Sequence, residues 1–104
     1  LVLSFNQISS LPENVFEYLK ELTVLFIYEN QLKSLPAQIF KNNLKMVTIG
    51  LDANQIETNS LYCFANLINL EELYLQTNQI ATLHSKFFKN LSKLRGIYLN
   101  ENRV

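Results

Sequence analysis

Few side chains of this sequence belong to the types that carry out covalent or metal chemistry. The chain has one cysteine, Cys63, and one histidine, His84, and neither has a second metal ligand at the spacing that metal sites use. No histidine or basic cluster near Cys63 would lower the pKa of its thiol, so we expect it to be buried and inert. We expect His84 to be a solvated loop residue. No catalytic, metal-binding or cofactor-binding residue is therefore predicted, and no cofactor.

The adjacent carboxylates Glu71 and Glu72 are the residues that could best suit general acid–base chemistry. Neighbouring residues of a strand point to opposite faces, however, so we expect these two to point apart and to form no pocket. Gly50 and Gly96 are the only glycines, which excludes a glycine-rich phosphate loop. The sequence gives no support to an enzyme.

Asparagine recurs every 24 residues, at positions 6, 30, 54, 78 and 102. A fixed period of this size marks a repeat architecture. Apolar residues occupy the positions five and three before each asparagine and two after it, which predicts a short strand followed by a turn. Parallel strands are predicted near residues 23–27, 47–51, 71–75 and 95–99. The asparagine amides are expected to pair backbone groups at the turns. A phenylalanine column is expected to be buried in one line: Phe16, Phe40, Phe64 and Phe88.

The repeat unit resembles the typical 24-residue leucine-rich repeat, most clearly in LTVLFIYENQLKSLPAQIF from Leu22 and LEELYLQTNQIATLHSKFF from Leu70. The resemblance implies an α/β solenoid: a right-handed superhelix with a concave parallel β-sheet and a mostly irregular convex side. Residues 1–104 would form a single array of about four repeats, truncated at both ends. The unit is similar to those of Toll-like receptor ectodomains, variable lymphocyte receptors, insect immune repeat proteins and Slit-like proteins. This implies an extracellular protein-binding module and suggests a role in innate immunity.

The middle of the chain departs from the repeat pattern. Asn43 occupies a column that otherwise holds leucine, and so does Asn59. An asparagine in an apolar column costs a few kcal/mol unless it is hydrogen-bonded. We therefore expect both asparagines to rotate outward, with Leu44 and Leu61 as substitutes.

The residues between the buried columns form the concave face of the predicted sheet. Several are aromatic, and exposed aromatic patches suggest contact with a partner. Gly50 removes a side chain between Phe26 and Tyr74, which predicts a notch ~10 Å wide beside Asp52. Alternatively, Gly50 only accommodates a twist in the irregular repeat. The predicted partner-binding residues are Phe26, Tyr28, Gly50, Asp52, Tyr74, Gln76, Tyr98 and Asn100.

Charge is balanced in total but segregated by position. Nine acidic and nine basic side chains give zero net charge, so we expect no nucleic acid and no membrane contact by this segment. Acidic residues cluster on or beside the strands, opposed there only by Arg95, whereas lysines cluster on the returning segments. The concave face should therefore attract a protein ligand with a basic contact surface.

Two other functions of the same fold stay open at this point. One is a structural spacer that contacts no ligand in this segment, and the other is an intracellular scaffold. The sequon Asn90-Leu91-Ser92 permits a secreted protein, but such a triplet is expected by chance in this composition. Because the terminal repeats are uncapped, we expect the segment to be ordered only within a longer chain or against another molecule, and the ends could mediate an oligomer.

Overall fold

Four three-residue strands build one parallel sheet in the computed structural model, which describes residues 1–104. They are β1 (Val24–Phe26), β2 (Thr48–Gly50), β3 (Glu72–Tyr74) and β4 (Gly96–Tyr98), and they pair in the order β1-β2-β3-β4. The register follows the sequence period, with Leu25 opposite Ile49 and Ile49 opposite Leu73. The predicted parallel strands are confirmed.

The core lies between the sheet and the segments that return from each strand to the next. Leu25, Ile49 and Leu73 are fully buried, because side chains at the centre of each strand alternate with those that face outward. The returning segments are irregular except for two 3₁₀ helices, Thr58–Phe64 and Ser85–Phe87. None of the helical segments has the length and apolar character that a membrane crossing requires.

The asparagine column holds neighbouring repeats together at the turns, as predicted. Nδ2 of Asn54 donates to the carbonyl oxygen of Ile27 in the preceding repeat at 3.0 Å, and its Oδ1 accepts from the backbone N–H of Leu32 at 3.1 Å. Asn30 and Asn78 make the equivalent bonds. Backbone groups that the turn would leave buried and unpaired are thereby satisfied.

The residue before each asparagine adopts the left-handed backbone conformation, which the sequence pattern did not reveal. The φ angles at these five positions lie between 56° and 59°, and none of the residues is glycine. An L-residue in this conformation costs roughly 1–2 kcal/mol. The residues are Phe5, Glu29, Ala53, Thr77 and Glu101.

The phenylalanine column is continuous over three repeats and changes in the fourth. Phe16 stacks on Phe40 at a centroid distance of 6.0 Å, and Phe40 stacks on Phe64 at 5.9 Å. The prediction that Phe88 is buried in the same line is wrong, because Phe88 is only half-buried and Phe87 takes the buried position in this repeat. Phe87 is the buried aromatic there, with 1% exposure.

The two departures from the pattern behave differently from each other. The outward rotation predicted for Asn43 is wrong: its side chain is fully buried, whereas Leu44 is 48% exposed. Its Nδ2 donates to the carbonyl oxygens of Phe16 and Leu19 at 3.0 and 2.9 Å, and these bonds offset the cost of burial. Asn59 is exposed and Leu61 is buried, as predicted.

Candidate functional site

The eight predicted partner-binding residues lie side by side in two rows on the concave face. The register of the sheet places Phe26 opposite Gly50, Gly50 opposite Tyr74, and Tyr74 opposite Tyr98. The second row lies two residues after the first in each repeat and consists of Tyr28, Asp52, Gln76 and Asn100. The structure therefore brings all eight together, and their role in binding stays a prediction.

Aromatic rings of the concave face form two separate groups. In the first group, Tyr28 meets Phe5 edge-to-face at 5.2 Å and Phe26 edge-to-face at 5.9 Å. In the second, Tyr74 and Tyr98 stack at 4.7 Å with an interplanar angle of 6°. These five rings are the main apolar material that a partner would meet on this face.

Phe5 belongs to the first aromatic group although the sequence pattern did not include it in the predicted site. Its side chain is 67% exposed, and its backbone has a φ of 59°. The left-handed turn directs this ring towards Tyr28, which alternation along a strand does not reveal. A signal was available, since Phe5 is the only aromatic residue in the column that precedes the asparagines.

The notch predicted above Gly50 is partly filled. A Cβ atom at Gly50 would lie 2.6 Å from Cδ1 of Phe26, so the ring of Phe26 occupies the space that the missing side chain leaves. Gly50 is consequently buried. The open side of the notch faces Tyr74, whose ring stacks on Tyr98 instead of covering the glycine. The prediction of a notch ~10 Å wide is therefore wrong, because the ring of Phe26 leans into that space.

Gly96, two strands further along the sheet, likewise leaves room for a neighbouring side chain. A Cβ atom there would lie 2.6 Å from Oε2 of Glu72 and 2.9 Å from Oη of Tyr98. Neither glycine has a positive φ, so close approach by a neighbouring side chain is what each position requires. The hydroxyl of Tyr98 donates to Oε2 of Glu72 at 3.2 Å. The negative charge of Glu72, and then this hydrogen bond, raise the pKa of Tyr98.

The acidic side chains of the concave face fall into a paired and an unpaired set. Arg95 lies 3.9 Å from a carboxylate oxygen of Glu71 and 3.6 Å from one of Glu72. The prediction that Glu71 and Glu72 point apart is therefore wrong, because the guanidinium draws both towards itself. Glu29, Asp52 and Glu101 form no ion pair, since the remaining salt bridge joins Lys45 to Glu21. This face thus keeps three unneutralised carboxylates.

The cysteine and histidine lie away from the concave face. Cys63 is buried, as predicted, and burial raises the pKa of its thiol well above the ordinary value, while a backbone hydrogen bond opposes the rise. His84 is exposed, with its ring 5.7 Å from that of Phe87. No three histidine, cysteine or acidic side chains lie close enough together to hold a metal ion.

A polar groove lies on the flank of the solenoid, beyond the asparagine turns. Its volume is about 620 Å³, and its lining is polar except for Ala81. Lys33 and Arg103 are the basic side chains of the lining and Glu57 is the acidic one. The predicted site did not include this groove, and its charges are mixed instead of convergent.

Comparisons with known proteins agree with this geometry. A family model described as "BspA type Leucine rich repeat region" matches residues 2–103 in six copies. A search of curated proteins gives no match. A crystal structure of the TLR13–ssRNA13 complex is similar to this chain, with a TM-score of 0.90 and 34% identity over 98% of this chain and 14% of that one.

Two further structures are leucine-rich-repeat domains. The APL1 domain has a TM-score of 0.88 and 30% identity, covering 98% of this chain and 26% of its own. For APL1B the TM-score is 0.89 and the identity 24%, covering 97% and 30%. The chain therefore spans less than a third of each of these proteins. The predicted resemblance to Toll-like receptor ectodomains is confirmed, and the chain belongs to the BspA-type leucine-rich-repeat family.

Proposed function

We propose that this chain is the protein-binding segment of a receptor-like or secreted leucine-rich-repeat protein, and that its ligand binds the concave face. The observation that supports this most is the pair of aromatic groups on that face, Phe5–Tyr28–Phe26 and Tyr74–Tyr98. Aromatic side chains are enriched in the cores of protein interfaces and among the residues that dominate binding energy. Leucine-rich-repeat domains commonly serve as interaction modules, which accords with the absence of a catalytic constellation.

The chemistry of the face favours a basic partner. Glu29, Asp52 and Glu101 have no ion-pair partner within the chain. Their common field would steer a positively charged surface towards the sheet and would oppose an acidic one. Association should therefore weaken as salt is added, because exposed charges are screened over ~8–10 Å at physiological ionic strength.

A nucleic-acid ligand is the main alternative, because one of the similar structures is a complex with a single-stranded RNA. Phosphate groups need lysine and arginine to displace their counterions. The concave face offers Arg95, which already pairs with Glu71 and Glu72. Unpaired carboxylates would repel the phosphates, so we favour a protein.

An extracellular location and a role in innate immunity form part of the same proposal, supported by the similarity to TLR13 and to the APL1 domains. The location is tested by expressing the tagged full-length protein in cells from its source and labelling intact cells and culture medium. Tag found only in the cytosol would favour the intracellular scaffold.

The binding face is tested with photo-crosslinking residues in the full-length protein. One variant carries the crosslinker at Gln76 on the concave face, and a matched variant carries it at Lys41 on a returning segment. A protein that crosslinks only from Gln76 is then purified, and its affinity is measured for Tyr74→Ala and for Tyr98→Ala. We expect each to cost about 2 kcal/mol. Tyr18→Ala is the control, because Tyr18 is 85% exposed on a returning segment.

Three results would contradict the proposal. If both concave variants fold and bind like the parent, the concave face is not the interface and the spacer is favoured. If the crosslinked protein is acidic and binds more tightly in high salt, the electrostatic part is wrong. Binding of a single-stranded RNA oligonucleotide that Tyr74→Ala abolishes would replace the protein ligand by a nucleic acid.

A further inference from the structure

We infer that the ring edge of Phe26 and the carboxylate of Asp52, which flank Gly50 on the concave face, form a subsite for an arginine side chain of the partner. This inference rests on the proposed function and specifies the group that the concave face recognises. It follows from the single position of the strand face where an aromatic edge, an unpaired carboxylate and a missing side chain meet.

Gly50 provides the floor of the subsite. Cδ1 of Phe26 lies 2.6 Å, and Oδ1 of Asp52 lies 3.7 Å, from the point where a Cβ of residue 50 would stand. The ring edge and the carboxylate therefore flank the same spot. Gly50 itself is buried beneath the ring of Phe26, and Tyr74, which pairs with Gly50 from the other side, stacks its ring on Tyr98.

The carboxylate of Asp52 is available to a ligand. Its side chain forms no ion pair, and no hydrogen bond of the structure uses its carboxylate oxygens, although the residue is partly buried. Glu71 and Glu72, by contrast, already share Arg95. The oxygens of Asp52 are not among the buried atoms that lack a partner, so they are open to solvent and a cation from outside can pair with them.

Arginine combines the features that this geometry asks for. Its guanidinium is flat, stacks on aromatic rings, and donates two parallel hydrogen bonds to a carboxylate. A lysine ammonium reaches either the ring or the carboxylate as a compact point charge, but it does not stack. Tyr28, edge-to-face with Phe26 at 5.9 Å, holds the ring of Phe26 in place.

The test uses three small probes and the full-length protein. N-acetylarginine methylamide, its uncharged isostere N-acetylcitrulline methylamide, and N-acetyllysine methylamide are titrated by ligand-observed NMR. We expect the arginine probe to bind at least about fivefold more tightly than either of the others. Asp52→Asn should remove most of that preference. Glu13→Gln, which deletes an exposed carboxylate on a returning segment, is the control and should leave it unchanged.

Gly50→Ala supplies an independent test, because its Cβ displaces the ring of Phe26 without touching the charge of Asp52. We expect it to weaken the arginine probe by about fivefold, with the circular dichroism spectrum unchanged. Equal binding of the arginine and citrulline probes, or full binding to Asp52→Asn, would overturn the inference. The proposed function would survive that result if the partner still depended on Tyr74 and Tyr98, so the two failures can be told apart.

Discussion

The side-chain amide of Asn43 donates a hydrogen bond to the carbonyl oxygen of Phe16, 27 residues earlier, at 3.0 Å. Asn54 makes a bond of the same sequence separation to Ile27, also at 3.0 Å. Asn43 thus repeats on the returning side what the periodic asparagines do at the turns. The difference is its Oδ1, which is buried without a partner, whereas Oδ1 of Asn54 accepts from Leu32.

Asn43→Asp should destabilise the protein strongly. The substitution preserves shape but removes both donors and places a carboxylate against the carbonyl oxygens of Phe16 and Leu19. We expect a loss of about 3 kcal/mol or more in the free energy of unfolding, measured by denaturant titration. Asn59→Asp is the control, since Asn59 is exposed, and should change stability by less than ~0.5 kcal/mol. Equal effects of the two variants would show that Asn43 is not held as described.

Ala53→Gly should stabilise the protein. Ala53 has a φ of 56°, a conformation that costs an L-residue roughly 1–2 kcal/mol, whereas glycine adopts it freely. After the entropy that glycine loses on folding, we expect a gain of about 0.5–1 kcal/mol in the free energy of unfolding. Ala37→Gly, at an exposed alanine without a positive φ, should not stabilise. A loss of stability in Ala53→Gly as large as that in the control would contradict the turn conformation.

Glu72→Gln should lower the pKa of Tyr98. The charge of Glu72 and its hydrogen bond raise that pKa, because both favour the neutral phenol in the folded protein. The resulting contribution to stability is fully present below the unfolded-state pKa of ~10. The contribution is lost as pH rises through the raised folded pKa. Tyrosinate absorbance is titrated with and without Tyr98→Phe, in the parent and in Glu72→Gln, so that the difference within each background reports Tyr98 alone. Ionisation of Tyr98 should occur at lower pH in Glu72→Gln. An unchanged titration midpoint would mean that the contact between Tyr98 and Glu72 does not persist in solution.

Cys63 should resist alkylation in the folded protein. Its thiol is buried, and burial raises its pKa, so the reactive thiolate is scarce at neutral pH. Iodoacetamide followed by mass spectrometry should label Cys63 in denaturant but only slowly in native buffer. A cysteine introduced by Ser92→Cys, at an exposed position, should react in both. Rapid native labelling of Cys63 would indicate that its repeat opens readily.

The repeat frame could be predicted because residue type alone encodes it. The asparagine column and the apolar columns of the strands each hold one kind of side chain, and parallel stacking then follows from the need to bury the apolar ones. The rows of the candidate site follow from the same register, which is why Phe26, Gly50 and Tyr74 were placed correctly relative to one another.

Side-chain direction could not be predicted in the same way. Phe26 leans over Gly50 because the next strand lacks a side chain there, and this contact depends on a residue 24 positions away. Asn43 turns inward because carbonyl oxygens of the preceding repeat lie within reach of its amide. Hydropathy assigns asparagine to the surface and contains no information about such acceptors.

Phe87→Ala should destabilise the protein more than Phe88→Ala, although only Phe88 belongs to the phenylalanine column. Phe87 is 1% exposed and meets Tyr62 edge-to-face at 4.7 Å, whereas Phe88 is half-buried. Truncating a buried phenylalanine costs about 3–5 kcal/mol, because transfer energy is lost and a cavity remains. We expect a loss in that range for Phe87→Ala and less than half of it for Phe88→Ala, measured as the shift in free energy of unfolding. The two residues are adjacent and chemically identical, so each controls for the other's effect on backbone propensity. A larger loss at Phe88 would restore the unbroken four-membered line that the sequence period predicts.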